Sequence, residues 1–360
     1  MEVLVAWAKK RIAAGENLKV VLMSATLDAQ KLAQFFDGDY PAISVPGRLY
    51  PVEKKHSSAQ QLCTETQKLA AEGRNVLVFQ PGKKEIAETV ANLQKVVGSS
   101  TTVLPLHGQL TPAEQKECFI PPSPGCNKII VATNVAQTSV TIPYIDAVVD
   151  SGLERRIELV DGIEGLYLKN TSQADCKQRA GRAGRCRPGV YVLCSDAPED
   201  RREPFPKAEI LRSRLDQVVL RLAAQGFDAE DLDFFHQPSK QTIAEAKRAL
   251  KILGAMDKHG NVTKVGRDIS RLPLSVQYGR MLIEAQKNHV VDEVATIVAC
   301  MEAGDIRARG NRDNPRPFFW ICTMRRVTSR AGKAYQKAKR CGKLEFLQKT
   351  ISARMKFDER

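Results

Sequence analysis

Short, largely apolar runs alternate with longer amphipathic stretches up to Pro206, and there the alternation stops. The runs at 18–23 (LKVVLM), 75–79, 103–106, 128–132, 147–150 and 189–193 each predict a strand buried on both faces, because a half-exposed strand would show polar residues at every second position. Helices are predicted over 1–15, over LDAQKLAQFF with Asp37 and Gly38 as its stop, and then over 59–72, 83–98, 111–119 and 173–185. Strands separated by helices of this length predict an α/β fold with a parallel sheet covered on both faces. Pro41, Pro46, Gly47 and Pro51 mark a linker, with a domain boundary near residue 52. Residues 155–168 alternate around Asp161 and Gly162, which predicts a β-hairpin. Beyond Pro206 the patterns are helical, over 207–226, 239–256 and 277–304. A turn at His259, Gly260 and Asn261 leads into a short wing strand at 261–264. This predicts a small winged-helix unit followed by helical α domains.

Composition narrows the class. A chain of 360 residues, 43% hydrophobic and 27% charged, suits two to three globular domains. No apolar stretch approaches the ~18 residues of a membrane span, and the amphipathic start lacks a signal-peptide cleavage site. The nine cysteines form no C-x-x-C pair and only five histidines accompany them. They read as reduced thiols of a cytoplasmic protein, with no metal-ligating set. The net charge of +14 is concentrated: residues 306–360 hold 16 Lys and Arg against 4 Asp and Glu, whereas residues 1–305 hold 39 and 37. Such a segment is either an electrostatic footprint for a polyanion or a solvated tail.

Three segments carry candidate chemistry. In QRAGRAGR at 178–185, helical geometry would place Gln178, Arg182 and Arg185 within about 60° of one another. Two guanidiniums and an amide suit a transferring phosphoryl group and its attacking water, and the Ala and Gly between them permit close approach. The bland alternative is a basic surface helix. In ATNVAQTSVT at 132–141, hydroxyls and amides follow directly on a strand, at the sheet edge where α/β proteins bind ligands. The alternative there is a polar helix cap. Ser24, Ala25 and Thr26 follow the run at 18–23 and gain interest only from that position.

In order, these segments resemble the motifs of superfamily 2 helicases. MSAT at 23–26 resembles motif III, VLVFQPGKKEI at 76–86 motif IV, ATNVAQTSVTI at 132–142 with VVDSG at 148–152 motif V, and QRAGRAGR motif VI; LHGQLTPAEQ at 106–115 resembles the segment between IV and V. TS-x-TI, the VVDSGL run and the intervening hairpin are similar to the DEAH/RHA branch, its bacterial members above all. The resemblance implies RecA-like domains that bind ATP with Mg2+ in a cleft and carry RNA, or DNA, across them. It gives 1–51 as the end of a first RecA-like domain, 52–206 as the second, 207–268 as a winged helix and 269–360 as the start of a helical ratchet-like domain. Gln178, Arg182 and Arg185 would face ATP in catalysis, the two arginines as arginine fingers. Thr141 would lie by the ribose and Gly152 by the nucleotide. Ser24 and Thr26 would couple hydrolysis to movement, and Gly82, Lys83, Thr133, Asn134 and Thr138 would touch the nucleic-acid backbone. The hairpin resembles an element that helps to separate strands.

The chain departs from the pattern in three places. Gln137 stands where the family has Glu, Leu153 where many members have Phe, and Lys177 beside motif VI is unusual. Neither G-x-x-x-x-G-K-[ST] nor D-E-x-H occurs, so the metal ligands are expected in an N-terminal RecA-like domain that would be a partner of these residues. The expectation is an ATP-dependent RNA helicase as a full-length protein, with this chain inactive alone. The alternatives are a non-catalytic nucleic-acid-binding module, or a scaffold for a protein activator.

Overall fold

The structure, a computed structural model, describes residues 2–23, 29–36, 41, 43, 50–138, 142–160 and 163–303. Ser24, Thr26, Thr141, the helix stop at Asp37 and Gly38, the hairpin turn at Asp161 and Gly162, and the basic segment 306–360 lie outside the described residues. Of Thr138 only the backbone is described. The chain divides into two compact units, one of residues 8–213 and the other of residues 3–7 with 214 onward.

Helices α1 (Glu2–Ala13) and α2 (Ala29–Phe35) come first. The larger unit then runs β1 (Val52–Ser57), α3 (Leu62–Ala71), β2 (Val76–Phe79), α4 (Lys83–Val96), β3 (Thr101–Leu106), α5 (Pro112–Glu117), β4 (Asn127–Ala132), α6 (Val135–Thr138), β5 (Ala147–Asp150), β6 (Leu153–Val160), β7 (Ile163–Asn170), α7 (Gln173–Ala180) and β8 (Gly189–Cys194). Six strands form one sheet in the order β1-β8-β5-β2-β4-β3, and every pairing is parallel. The apolar strands divide their side chains strictly by period two. Val76 and Val78 join a core on one face with Leu69, Ile86 and Leu93 of α3 and α4; Leu77 and Phe79 join a core on the other face with Cys176 and Ala180 of α7. Burial on both faces is why these runs carry no polar alternation. Leu93 is fully buried, and truncating such a leucine to Ala costs about 2–5 kcal/mol.

The five apolar runs from 75 to 193 are strands, but the run at 18–23 is not. Residues 18–23 adopt no strand, and Val21 and Met23 are 80% and 90% exposed. An apolar run becomes a strand only where neighbouring strands take up its backbone groups, and among the described residues none pairs with this one. Conversely, β1 reads VEKKHS, polar and largely exposed. It holds its place as an edge strand through parallel pairing with β8 alone. The hairpin is longer than 155–168: β6 and β7 pair antiparallel from Leu153↔Asn170 to Val160↔Ile163.

The second unit holds α8 (Asp216–Ala224), α9 (Lys240–Ile252), α10 (Lys264–Ser270), α11 (Val276–Lys287) and α12 (Val291–Ala303). The wing strand predicted at 261–264 is reduced to a single antiparallel bridge, Met256↔Val262. Thr263 caps α10 by accepting from the Gly266 amide, which turns the chain into helix too soon for a strand. The helical stretch at 277–304 is broken at Asn288–Val290, where His289 takes φ +57°.

Candidate functional site

Because all six strands run parallel, the loops that follow them share one edge of the sheet. Gly82 and Lys83 follow β2, Thr133 and Asn134 follow its neighbour β4, and Gln109 lies beyond β3. Gly82 is the N-cap of α4 and is buried; a Cβ there would meet Glu85 Oε2 at 2.7 Å and Arg155 Nε at 2.8 Å. Lys83 is exposed and its ammonium donates to Gln109 Oε1, joining two of the loops. Asn134 is exposed, Thr133 half-buried, and the Thr133 carbonyl accepts from the Ala136 amide to start α6. Glu85 and Arg155, paired at 2.7 Å, fasten the hairpin to the start of α4. Burial opposes ionisation of Glu85, but its backbone hydrogen bond and Arg155 outweigh that and hold its pKa below the usual range.

The second cluster is built on α7. Ser172 and Asp175 form a capping box, which fixes the first turn. The helix ends at Ala180 with Gly181 as its C-cap, and residues 181–186 are turns. The single helical face expected for Gln178, Arg182 and Arg185 is therefore incorrect: Gln178 is on the helix and both arginines are on the turn. Two glycines inside 178–185 provide the reason. Gly181 is a poor helix former, and Gly184 is packed so that a Cβ would meet the Tyr50 carbonyl oxygen at 2.6 Å.

Gln137 brings the pieces together across that break. Its amide nitrogen donates to Asp175 Oδ1 at 2.7 Å and to Gln178 Oε1 at 2.9 Å. Its side-chain oxygen accepts from Arg179 Nε at 3.0 Å, and its carbonyl oxygen accepts from Arg182 Nη2. Arg182 is buried and Arg185 half-buried. Burial, and then the neighbouring Arg185, push the Arg182 pKa down to about 10. An anion beside the two guanidiniums would offset the repulsion between them.

Arg179, which the helical-face reading passed over, is the largest fully buried side chain among the described residues. It donates to Asp150 Oδ1 at 2.7 Å and lies 4.7 Å from the centre of the Phe79 ring. Burial works against its charge, but Asp150 outweighs that and raises its pKa. Asp150 also accepts from Tyr191 Oη at 2.9 Å and from the Gly152 amide at 2.8 Å. The sequence signal was available: an Asp closing an otherwise apolar strand, AVVD, needs a buried cation.

Gly152 takes φ +66° at the end of β5, and a Cβ there would collide with Arg202 Nη2. Arg202 fills that space. It donates to the carbonyls of Gly152 (2.7 Å) and Thr171 (3.1 Å), to Ser195 Oγ (2.7 Å) and to the Ala197 carbonyl (2.9 Å). Both ends of the hairpin are thereby fastened to the loop after β8. Among the described residues no group of three His, Cys, Asp or Glu is placed to hold a metal ion, and no helix is long and apolar enough to cross a membrane. The six cysteines whose side chains are described are free.

Three family models match: the helicase conserved C-terminal domain over residues 55–187, the winged-helix helicase associated domain (HA2) over 248–274, and the ratchet-like HA2 domain over 275–348. The chain is 34% identical over 314 residues to the ATP-dependent RNA helicase HrpA homolog of Haemophilus influenzae, covering 81% of this chain and 24% of that protein. It is 32% identical over 319 residues to the ATP-dependent RNA helicase DHX33 of Drosophila melanogaster, covering 83% and 46%. The solved structure of the Escherichia coli DEAH/RHA helicase HrpB superposes with a TM-score of 0.79 at 27% identity, over 98% of this chain and 44% of that one. The chain thus spans between 24% and 46% of the length of these curated relatives. The six-stranded unit is a RecA-like domain, and winged-helix and ratchet-like domains follow it.

Proposed function

Because the chain carries the C-terminal domains of the DEAH/RHA-type superfamily 2 helicases, we propose that it works as part of an ATP-dependent RNA helicase, a motor that translocates on nucleic acid and unwinds it. Residues 1–51 are read as the end of a first RecA-like domain, 52–206 as the second, 207–268 as the winged helix and 269–360 as the start of the ratchet-like domain. The observation that carries the reading is the cluster at 178–185, where Gln178 and Arg182 meet through Gln137 and Arg185 stands close enough to depress Arg182.

In this reading Gln178, Arg182 and Arg185 contact ATP, with both arginines as arginine fingers that balance charge on the phosphoryl group. Thr141 and Gly152 border the nucleotide. Gly82, Lys83, Thr133, Asn134 and Thr138 line half of a track for the nucleic-acid backbone, and Ser24 and Thr26 couple the two. ATP supplies the phosphoryl group that is transferred. Mg2+ and the phosphate loop belong to an N-terminal RecA-like partner domain, since this sequence has neither G-x-x-x-x-G-K-[ST] nor D-E-x-H. RNA is the expected track, with DNA and a protein activator as further partner classes, and no membrane is involved.

The test is ATP turnover by the 360 residues, with and without single-stranded RNA. Turnover is expected to stay at background, and to appear when a first RecA-like domain bearing the phosphate loop and D-E-x-H is supplied. Arg185→Ala should then cut turnover by roughly 10³-fold while RNA affinity changes little. Turnover that survives this substitution would remove the assignment. RNA binding with a steep salt dependence and no turnover in the completed protein would favour a non-catalytic binding module instead.

A further inference from the structure

Gln137 is buried and every polar atom of its side chain is used. The chemistry of its partners settles which way round its amide lies. A carboxylate only accepts and a guanidinium only donates, so the nitrogen must face Asp175 and the oxygen must face Arg179, as the 2.7 Å and 3.0 Å contacts have it. The second amide hydrogen is then committed to the remaining neighbour, Gln178, which can receive it only through its oxygen, at 2.9 Å. One buried amide, locked by a cation on one side and an anion on the other, therefore fixes the orientation of a second amide that is only half-buried.

We infer that Gln137 and Asp175 act as one positioning unit that turns the Gln178 side-chain oxygen inward and its NH2 outward, so that Gln178 offers a hydrogen-bond donor to a phosphate oxygen. This rests on the reading of 178–185 as a phosphate-facing segment and sharpens it. With its oxygen drawn toward buried Gln137, Gln178 is set to hold an anion beside Arg182 rather than to accept from an attacking water. The unit also explains what Gln rather than Glu achieves at position 137. A carboxylate there would stand 2.7 Å from that of Asp175, and two carboxylates so close cannot both ionise readily. The one negative charge that Gln137 contacts comes instead from α7, where Asp175 also accepts from the Ser172 amide and hydroxyl to cap the helix.

Two variants separate positioning from packing. Gln137→Glu brings the carboxylates together and forces Gln178 to turn its NH2 inward. Adding Asp175→Asn removes the repulsion, and the amide so introduced can still cap α7 through its oxygen while its nitrogen donates to the new carboxylate at position 137. The double variant should therefore regain wild-type stability with Gln178 still reversed. In protein labelled with 15N-glutamine, the Gln178 side-chain NH2 should exchange rapidly with solvent in the wild type and slowly in both variants. The Gln137 NH2 should be slow in the wild type. Inorganic tripolyphosphate, titrated by calorimetry, should bind the double variant about tenfold more weakly than the wild type, the loss of one charge-assisted hydrogen bond. A protected Gln178 amide in the wild type would overturn the orientation. Equal tripolyphosphate binding by wild type and double variant would overturn the donor role. If the wild type and Arg182→Ala both fail to bind tripolyphosphate, the phosphate-facing reading of the segment falls, while the exchange data still decide the orientation.

Discussion

In the six-stranded sheet every side chain of β2, β4, β5 and β8 is buried, whereas in the hairpin of β6 and β7 Ile157, Leu166 and Leu168 stand 45%, 59% and 50% exposed. The two regions differ in composition, VLVF in β2 against LERRIELV in β6, and stabilise themselves differently. The sheet excludes water from both faces, so the charge of Asp150, deep within it, requires Arg179 and Tyr191 as partners. The hairpin leaves apolar side chains in water, and its order depends on its own ladder and on three outside anchors. These are the Glu85–Arg155 pair, Arg212 donating to the Ile157 carbonyl at 2.7 Å, and Arg202 at its two ends. The sheet is a fixed frame, and the hairpin is a surface held out from it.

The comparison is broken most sharply by removing one side chain from each region. Arg179→Ala strands the Asp150 carboxylate in the core and should lower the unfolding free energy by about 3–5 kcal/mol. Leu166→Ala on the hairpin should change it by less than about 0.5 kcal/mol. Urea titration of both variants measures the contrast, and similar losses would mean that the hairpin is as tightly packed as the sheet.

A smaller effect separates, by pH, two carboxylates at the root of the hairpin. Burial, and then Asp175, raise the pKa of Glu154 at the start of β6 against the pull of Arg156. The folded state then holds that proton more tightly than the unfolded state, so stability falls as pH rises from the unfolded carboxylate pKa through the raised one. Glu85 has the opposite sign: its pKa is lowered, so its contribution is present above the unfolded pKa and is lost as pH falls through the folded value. Glu154→Gln should therefore stabilise the chain at neutral pH and leave it unchanged in acid, and Glu85→Gln should destabilise it at neutral pH only. Thermal melts from about pH 3 to about pH 8, a range set about the carboxylate pKa near ~4.3, check both signs.

The smallest expected effect concerns the sheet-edge loops. Lys83→Ala should weaken single-stranded RNA binding a few-fold and lower the slope of log affinity against log salt by about one phosphate contact. An unchanged slope would take Lys83 off the proposed track.

How much of this was readable in the sequence depended on where each segment finds its partners. Five apolar strands declared themselves because burial on both faces leaves a mark on composition. The edge strand β1 (VEKKHS) did not, since its only structural cue is pairing with β8. Residues 18–23 misled for the converse reason: hydrophobicity marks a preference for burial and says nothing about whether neighbouring strands are at hand. At 178–185 the single helical face fails, because a period of 100° per residue does not extend past Gly181, where the helix ends. Arg179 was overlooked within the same motif; its importance comes from Asp150, 29 residues earlier, a separation no local pattern spans.

Arg202 has a mechanical consequence. By gripping the carbonyls of Gly152 and Thr171 together with Ser195 and Ala197, it clamps both legs of the hairpin to the end of β8. Each leg is eight residues long, roughly 26 Å at the usual strand rise. Clamped at its root, such an arm works as a lever: turning its base by about 10° sweeps its far end through roughly 5 Å. Whatever torque acts on the sheet reaches the far end of the arm as displacement, and the root that bears it includes a guanidinium filling the space that only a glycine leaves open.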